Sequence, residues 1–113
     1  MEKQKKKQKK ATGEKQPRDR KTKGLYIRRQ QDFFLEAPAG AEVYLAGSFN
    51  NWDAKAKPMR WDEVRQGYAV RGYLLPGEYE YKFVVDGNWM VDPRNPNRRE
   101  NGLNSFNSVL VVK

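Results

Sequence analysis

The 113 residues hold 23 Lys/Arg against 14 Asp/Glu, with no cysteine and no histidine. That composition excludes a disulfide framework and a cysteine metal site, and removes both the commonest general base and the commonest metal ligand. The length leaves room for one domain. The net charge of +9 belongs to one end of it: residues 1–31 carry 13 Lys/Arg and 3 Asp/Glu, residues 32–113 carry 10 and 11.

Met1 to about Lys23 contains no Leu, Ile, Val, Phe, Tyr or Trp. Such a stretch cannot offset the entropy of ordering itself, so residues 1–24 are expected to form a disordered Lys/Arg-rich tail. A polyelectrolyte arm suits an acidic partner, nucleic acid, ribosome or protein, through counterion release. A solubilising segment with no specific partner fits it equally. No aromatic is interleaved among the lysines, so base stacking is not expected from the tail. The lysines precede no apolar signal core, and no apolar run approaches the roughly 20 residues of a membrane span. The expectation is a cytoplasmic protein with no membrane partner.

The folded part is expected over residues 25–113. After a transition in which Tyr26 is a candidate edge contact, Asp32–Glu36 reads as a strand with Phe33 and Leu35 inward. Glu42–Ala46 alternates again, with Val43 and Leu45 inward. Gly47-Ser-Phe-Asn-Asn-Trp-Asp53 is rich in turn-formers yet carries Phe49 and Trp52. Lys57–Trp61 is a weaker strand that sends Met59 to the core, and Tyr68–Leu74 places Tyr68, Val70 and Leu74 on one face. Leu75-Pro-Gly77 has the order a type II turn prefers.

Tyr79 to Val85 has a period of two, with Tyr79, Tyr81, Phe83 and Val85 on one side and Glu80, Lys82 and Val84 on the other. Asp86-Gly87 follows, the pair that best tolerates positive φ in a two-residue hairpin. Past the turn stands Trp89, which pairs an exposed indole with an exposed cation, Lys82. Asp92 to Gly102 is polar and interrupted by proline, unfit for helix or inner strand. Asn107–Val112 closes the chain as a strand whose Val109 and Val111 are assigned to the core. No segment sustains a helical period. Short strands with turns between them predict an all-β, antiparallel sandwich.

Val43-Tyr-Leu-Ala-Gly-Ser-Phe-Asn-Asn-Trp52, Leu75-Pro-Gly-Glu-Tyr-Glu-Tyr-Lys-Phe-Val-Val-Asp-Gly-Asn-Trp89, Asp92-Pro93 and Asn107-Ser-Val-Leu-Val111 stand in one order. Together they resemble the carbohydrate-binding modules of family 48, which include the glycogen-binding domain of the AMP-activated protein kinase β subunit and the early-set domains of isoamylases and branching enzymes. The resemblance covers about Asp32 to Lys113 and implies an immunoglobulin-like early-set β-sandwich. It also implies that α-1,4-glucan is held on one surface by Trp52, Lys82, Trp89 and Asn107. Leu103 and Ser105 fall where the last loop of the family adds an apolar contact and a hydroxyl. Residues 93–102 do not follow the family pattern.

The chemistry agrees with that implication. Indole rings offer flat apolar area to the C–H face of a pyranose, worth about 0.5–1.5 kcal/mol per ring by analogy with aromatic pairs. Lys82 supplies donors, and Asn107 both a donor and an acceptor, for the hydroxyl rim. The expected ligand is an α-glucan polysaccharide such as glycogen, with no cofactor, no metal and no catalysis: no two carboxylates are spaced as glycosidase acids. Two other readings compete. One is a docking module of a carbohydrate-metabolising assembly; the other is nucleic-acid or ribosome contact through the basic tail. Trp61 lies outside the matching motifs and is read as structural. Lys82 alone would be an ordinary solvated charge.

Overall fold

The computed structural model describes residues 26–113, and the tail expected over residues 1–24 lies outside them. Eight strands follow one another: β1 (Arg29–Glu36), β2 (Val43–Gly47), β3 (Arg60–Asp62), β4 (Gly67–Leu74), β5 (Gly77–Val85), β6 (Asn88–Met90), β7 (Arg98–Glu100) and β8 (Phe106–Val112). They form two antiparallel sheets. One has the order β1-β4-β3; the other runs β2-β5-β8-β7, with β6 also paired to β5. No α-helix occurs among the described residues. This is the expected early-set β-sandwich.

The core lies between the sheets, where Phe33 and Leu35 of β1 and Tyr68 of β4 meet Val43, Leu45, Tyr81 and Phe83. Phe33 stands edge-on to Tyr81, with ring centroids 5.3 Å apart. Met59 is buried as expected, although β3 starts one residue after it. Tyr68 Oη donates to the Pro38 carbonyl at 2.8 Å and accepts from the Ala41 amide at 2.9 Å. A β4 side chain thereby holds the crossing from β1 to β2.

Four expectations need correction. Tyr26 is more than half exposed. Leu75-Pro76 is a bend that carries the chain from one sheet to the other, and Gly77 opens β5 at φ 153°, outside the type II turn. The proline-interrupted stretch is not all loop: it contains one short strand, β7, though not an inner one, since it lies at the sheet edge where proline neighbours are tolerated. In β8 the phase is the other one. Directly paired residues share a face, and Tyr81 pairs with Ser108, Tyr79 with Leu110 and Gly77 with Val112. Ser108, Leu110 and Val112 therefore face inward, while Val109 and Val111 stand opposite Glu80 and Glu78; Val109 is buried all the same, as expected, and only Val111 is left out of the core. Val111 is accordingly 55% exposed.

Candidate carbohydrate-binding groove

The centre of the site is the outer face of β5. Tyr81 and Phe83 are fixed in the core, so alternation turns Glu78, Glu80, Lys82 and Val84 outward. One edge of β5 is shared in tandem: β8 pairs with residues 77–81 and β6 with residues 83–85. Trp89, directly opposite Val84, and Asn107, on the outward side of β8 beside Ser108, thus reach the same face. The Asp86-Gly87 turn has φ of 49° and 85°, both positive, as the two-residue hairpin requires.

Trp52 arrives from the other side, and each residue before it has a task. The sheet passes so close at Gly47 that a Cβ there would lie 2.6 Å from the Glu80 carbonyl. Ser48 Oγ accepts from the Glu80 amide at 3.2 Å. Phe49 turns into the core against Phe33 and Tyr79. Asn50 accepts from the Gly47 amide and donates to the Leu45 carbonyl, pinning the turn. Asn51 and Trp52 then both take left-handed backbone, φ 58° and 57°. The two indoles end 6.5 Å apart between ring centroids, with planes tilted by 43°.

The third wall is the loop between β7 and β8. The Asn101 amide donates to the Ser105 carbonyl at 3.0 Å, and the Leu103 amide to Asn101 Oδ1 at 2.9 Å. Positive φ at Gly102 and Asn104 completes the tight loop. Leu103 is left at its tip, 81% exposed. Ser105 points inward and its Oγ accepts from Lys82 Nζ at 2.8 Å. Lys82 is only 9% exposed. It is therefore not the exposed cation expected from alternation, because Trp52, Trp89 and the 101–105 loop rise around its stem.

These walls enclose an open groove of about 570 Å³. Trp52, Lys82, Trp89, Leu103 and Asn107 line it, and Ser105 stands behind Lys82 as its hydrogen-bond partner. All six residues named from the sequence thus meet in one place. Sequence reasoning missed Ser48, Glu78, Glu80, Arg99 and Asn101, which also line it. Glu80 Oε1 accepts from Asn107 Nδ2 at 2.9 Å, while Arg99 donates to Glu80 at 2.8 Å and to Glu78 at 2.6 Å. The Asn107 hydrogen bond, and then Arg99, hold the Glu80 carboxyl below its usual range, against the opposing effect of burial. The period of two did place Glu80 outward. Its tie to Asn107 depends on register, which no local pattern carries.

Asp92-Pro93 proves to be an anchor for this arrangement. Asp92 is buried, its Oδ2 accepts from Tyr81 Oη at 2.7 Å, and its amide donates to Ser108 Oγ at 2.8 Å. The end of β6 is thereby locked to β5 and β8. Trp61 packs edge-on against Tyr68 at 5.3 Å and donates to Glu63 through Nε1, on the opposite sheet from the groove. Among the described residues no cluster of acidic side chains is arranged to hold a metal ion.

A two-sheet early-set sandwich with paired indoles beside a hydrogen-bonding floor is the architecture of a carbohydrate-binding module. The chain belongs to the family described as the glycogen recognition site of AMP-activated protein kinase, which matches residues 35–113. It is similar to the 5'-AMP-activated protein kinase subunit beta-1 of Sus scrofa, 38% identical over 74 residues that make up 66% of this chain and 57% of that protein. Protein PTST homolog 2, chloroplastic, of Arabidopsis thaliana is 35% identical over 74 residues, 66% of this chain and 13% of that protein. Among solved structures, a maltogenic amylase from S. marinus superposes with a TM-score of 0.58 at 26% identity, over 76% of this chain and 14% of the enzyme. The chain thus spans between about an eighth and somewhat over half of these relatives. One is chloroplastic by name, so family membership carries no single compartment with it. No helix among the described residues is long and apolar enough to cross a membrane.

Proposed function

We propose that this module binds α-1,4-glucan, such as glycogen or a starch-like polysaccharide, in the groove lined by Trp52, Lys82, Trp89, Leu103 and Asn107, with Ser105 holding Lys82 from behind, and that it does so without catalysis. The observation that carries the reading is the pair of indoles set 6.5 Å apart and tilted by 43°. Two flat apolar faces meeting at an angle suit successive pyranoses of a curved chain better than one isolated ring. Lys82, held at one corner by Ser105, keeps N–H groups for sugar oxygens, and Asn107 adds a polar contact beside it. A site this open binds a single sugar only weakly, of order millimolar at about −4 kcal/mol. A polymer offering many repeats raises the effective affinity.

The groove carboxylates support a non-catalytic role. Glu78 and Glu80 share Arg99, and Glu80 is kept ionised, the wrong direction for an acid that must protonate a leaving group. The test is affinity electrophoresis in gels cast with glycogen, on wild type, Trp52→Ala and Trp89→Ala, over a range of salt concentrations. Retardation that is lost in both variants and insensitive to salt is expected. Retardation that survives in the variants and falls steeply with salt would instead point to a charge-driven contact of the basic residues 1–24 and away from the groove. A folded wild type that is not retarded would sink the reading.

A further inference from the structure

Asn107 can offer a ligand either its amide nitrogen or its carbonyl oxygen, and the groove decides which. Asn107 Nδ2 donates to Glu80 Oε1 at 2.9 Å. An ionised carboxylate only accepts, so the nitrogen must be the atom turned to Glu80. Oδ1 is left with Asn101 Nδ2 at 3.5 Å, the outer limit of a hydrogen bond, and keeps acceptor capacity toward the groove.

Glu80 is itself fixed from several sides. Its Oε2 accepts from Arg99 at 2.8 Å, and the same guanidinium reaches Glu78 at 2.6 Å. Arg99 stands directly opposite Asn107 across β7 and β8. The Glu80 amide is tied to Ser48 at the foot of the Trp52 loop. The carboxylate therefore has neither the freedom to swing away nor a tendency to take up a proton near neutrality.

We propose that Glu80, clamped by Arg99, is a positioning residue that sets the polarity of the Asn107 amide, so that this point of the groove presents an acceptor and selects a ligand hydroxyl able to donate. The proposal rests on the glucan reading and deepens it. Lys82 is donor-only and Asn107 is held acceptor-outward, so the two groups demand opposite roles from the hydroxyls they meet. A ligand whose hydroxyl at the Asn107 position is O-methylated accepts but cannot donate, and is disfavoured there.

The experiment has two arms on the full chain. In the first, without ligand, the side-chain amide protons of Asn107 are followed by 15N NMR in wild type and Glu80→Gln. One slowly exchanging proton is expected in wild type and lost in the variant, because a glutamine can also donate and no longer dictates the orientation. In the second, glycogen affinity is compared among wild type, E80Q, N107D and E80Q/N107D. E80Q should weaken binding roughly threefold to tenfold, the range of one neutral hydrogen bond. N107D should weaken it further, since two carboxylates then face each other. The double variant should regain at least about threefold over N107D, because the new glutamine amide donates to the new aspartate and leaves an acceptor oxygen to the groove. A purely structural role for Glu80 predicts no such rescue. Equal protection of the Asn107 protons in wild type and E80Q would overturn the proposal, and so would a double variant no tighter than N107D when wild type binds. A folded wild type that ignores glycogen would overturn the glucan reading and the hydroxyl selection, while the first arm alone would still decide the orientation.

Discussion

Lys82 Nζ donates to Ser105 Oγ across 2.8 Å, joining the middle of β5 to a loop 23 residues further along the chain. The bond holds a nearly buried cation in the groove that the two indoles also line, and leaves its remaining protons for that groove. Ser105 thus acts on the site through Lys82 and not by lining it.

This relationship fixes an expected outcome for a double-mutant cycle. Ser105→Ala removes the neutral partner of a charged donor, a loss of about 1–2 kcal/mol. Lys82→Met keeps the apolar stem and removes the charge that needed the partner. In the Lys82→Met background Ser105→Ala should therefore cost much less, with a coupling of about 1 kcal/mol read from urea denaturation. Equal costs in the two backgrounds would show that the bond contributes nothing to stability. Both single variants should bind glycogen more weakly than wild type.

Trp52 carries a second prediction, because a bulky side chain at φ 57° sits in backbone that favours glycine. The indole is displayed at the expense of local strain, compensated by the pins at Gly47 and Asn50. Trp52→Gly and Trp52→Ala lose the same ring and should bind glucan equally poorly. They should differ in stability, with the glycine variant more stable by about 1 kcal/mol, since alanine retains the steric conflict that glycine relieves. A pair of thermal melts in matched buffer checks this. An alanine variant as stable as the glycine one would mean that the loop has relaxed out of the left-handed region.

The sandwich was legible where a strand alternates between unlike residues. Tyr81 and Phe83 against Glu80 and Lys82 leave one choice of face, and Asp86-Gly87 announces its own turn. β8 was not legible in that way. Ser-Val-Leu-Val-Val is apolar in both phases, so only pairing with β5 decides that Leu110 and Val112 face inward and Val111 faces out. β7 escaped notice because Arg98–Glu100 has no apolar face at all, being an exposed edge strand. The six residues that meet at the groove were named through their order along the chain, yet their surroundings were not legible. The burial of Lys82 and the grip of Glu80 on Asn107 arise from segments about 20 to 30 residues apart, brought together only by the sheet.

A last prediction concerns the anchor beneath the groove. Tyr81 Oη donates to Asp92 Oδ2 at 2.7 Å and accepts from Asn95 Nδ2 at 3.1 Å, at the inner end of the motif that follows Trp89. Burial, reinforced by the adjacent Asp92, pushes the Tyr81 phenol well above its ordinary value of 10.0. The sign follows from linkage: the folded state holds this proton more tightly than the unfolded chain. Its contribution is fully present below about pH 10 and is lost progressively as pH rises beyond that. Alkaline titration followed by ultraviolet absorbance should find Tyr81 silent between about pH 10 and 11, so wild type and Tyr81→Phe should give the same rise there. Tyr81→Phe should also leave Asp92 buried without its phenolic donor, costing about 1–3 kcal/mol, and should loosen β6 so that glucan affinity falls with Trp89 untouched. A variant that titrates with one tyrosine fewer in that range would show that Tyr81 ionises normally and that the anchor is open to water.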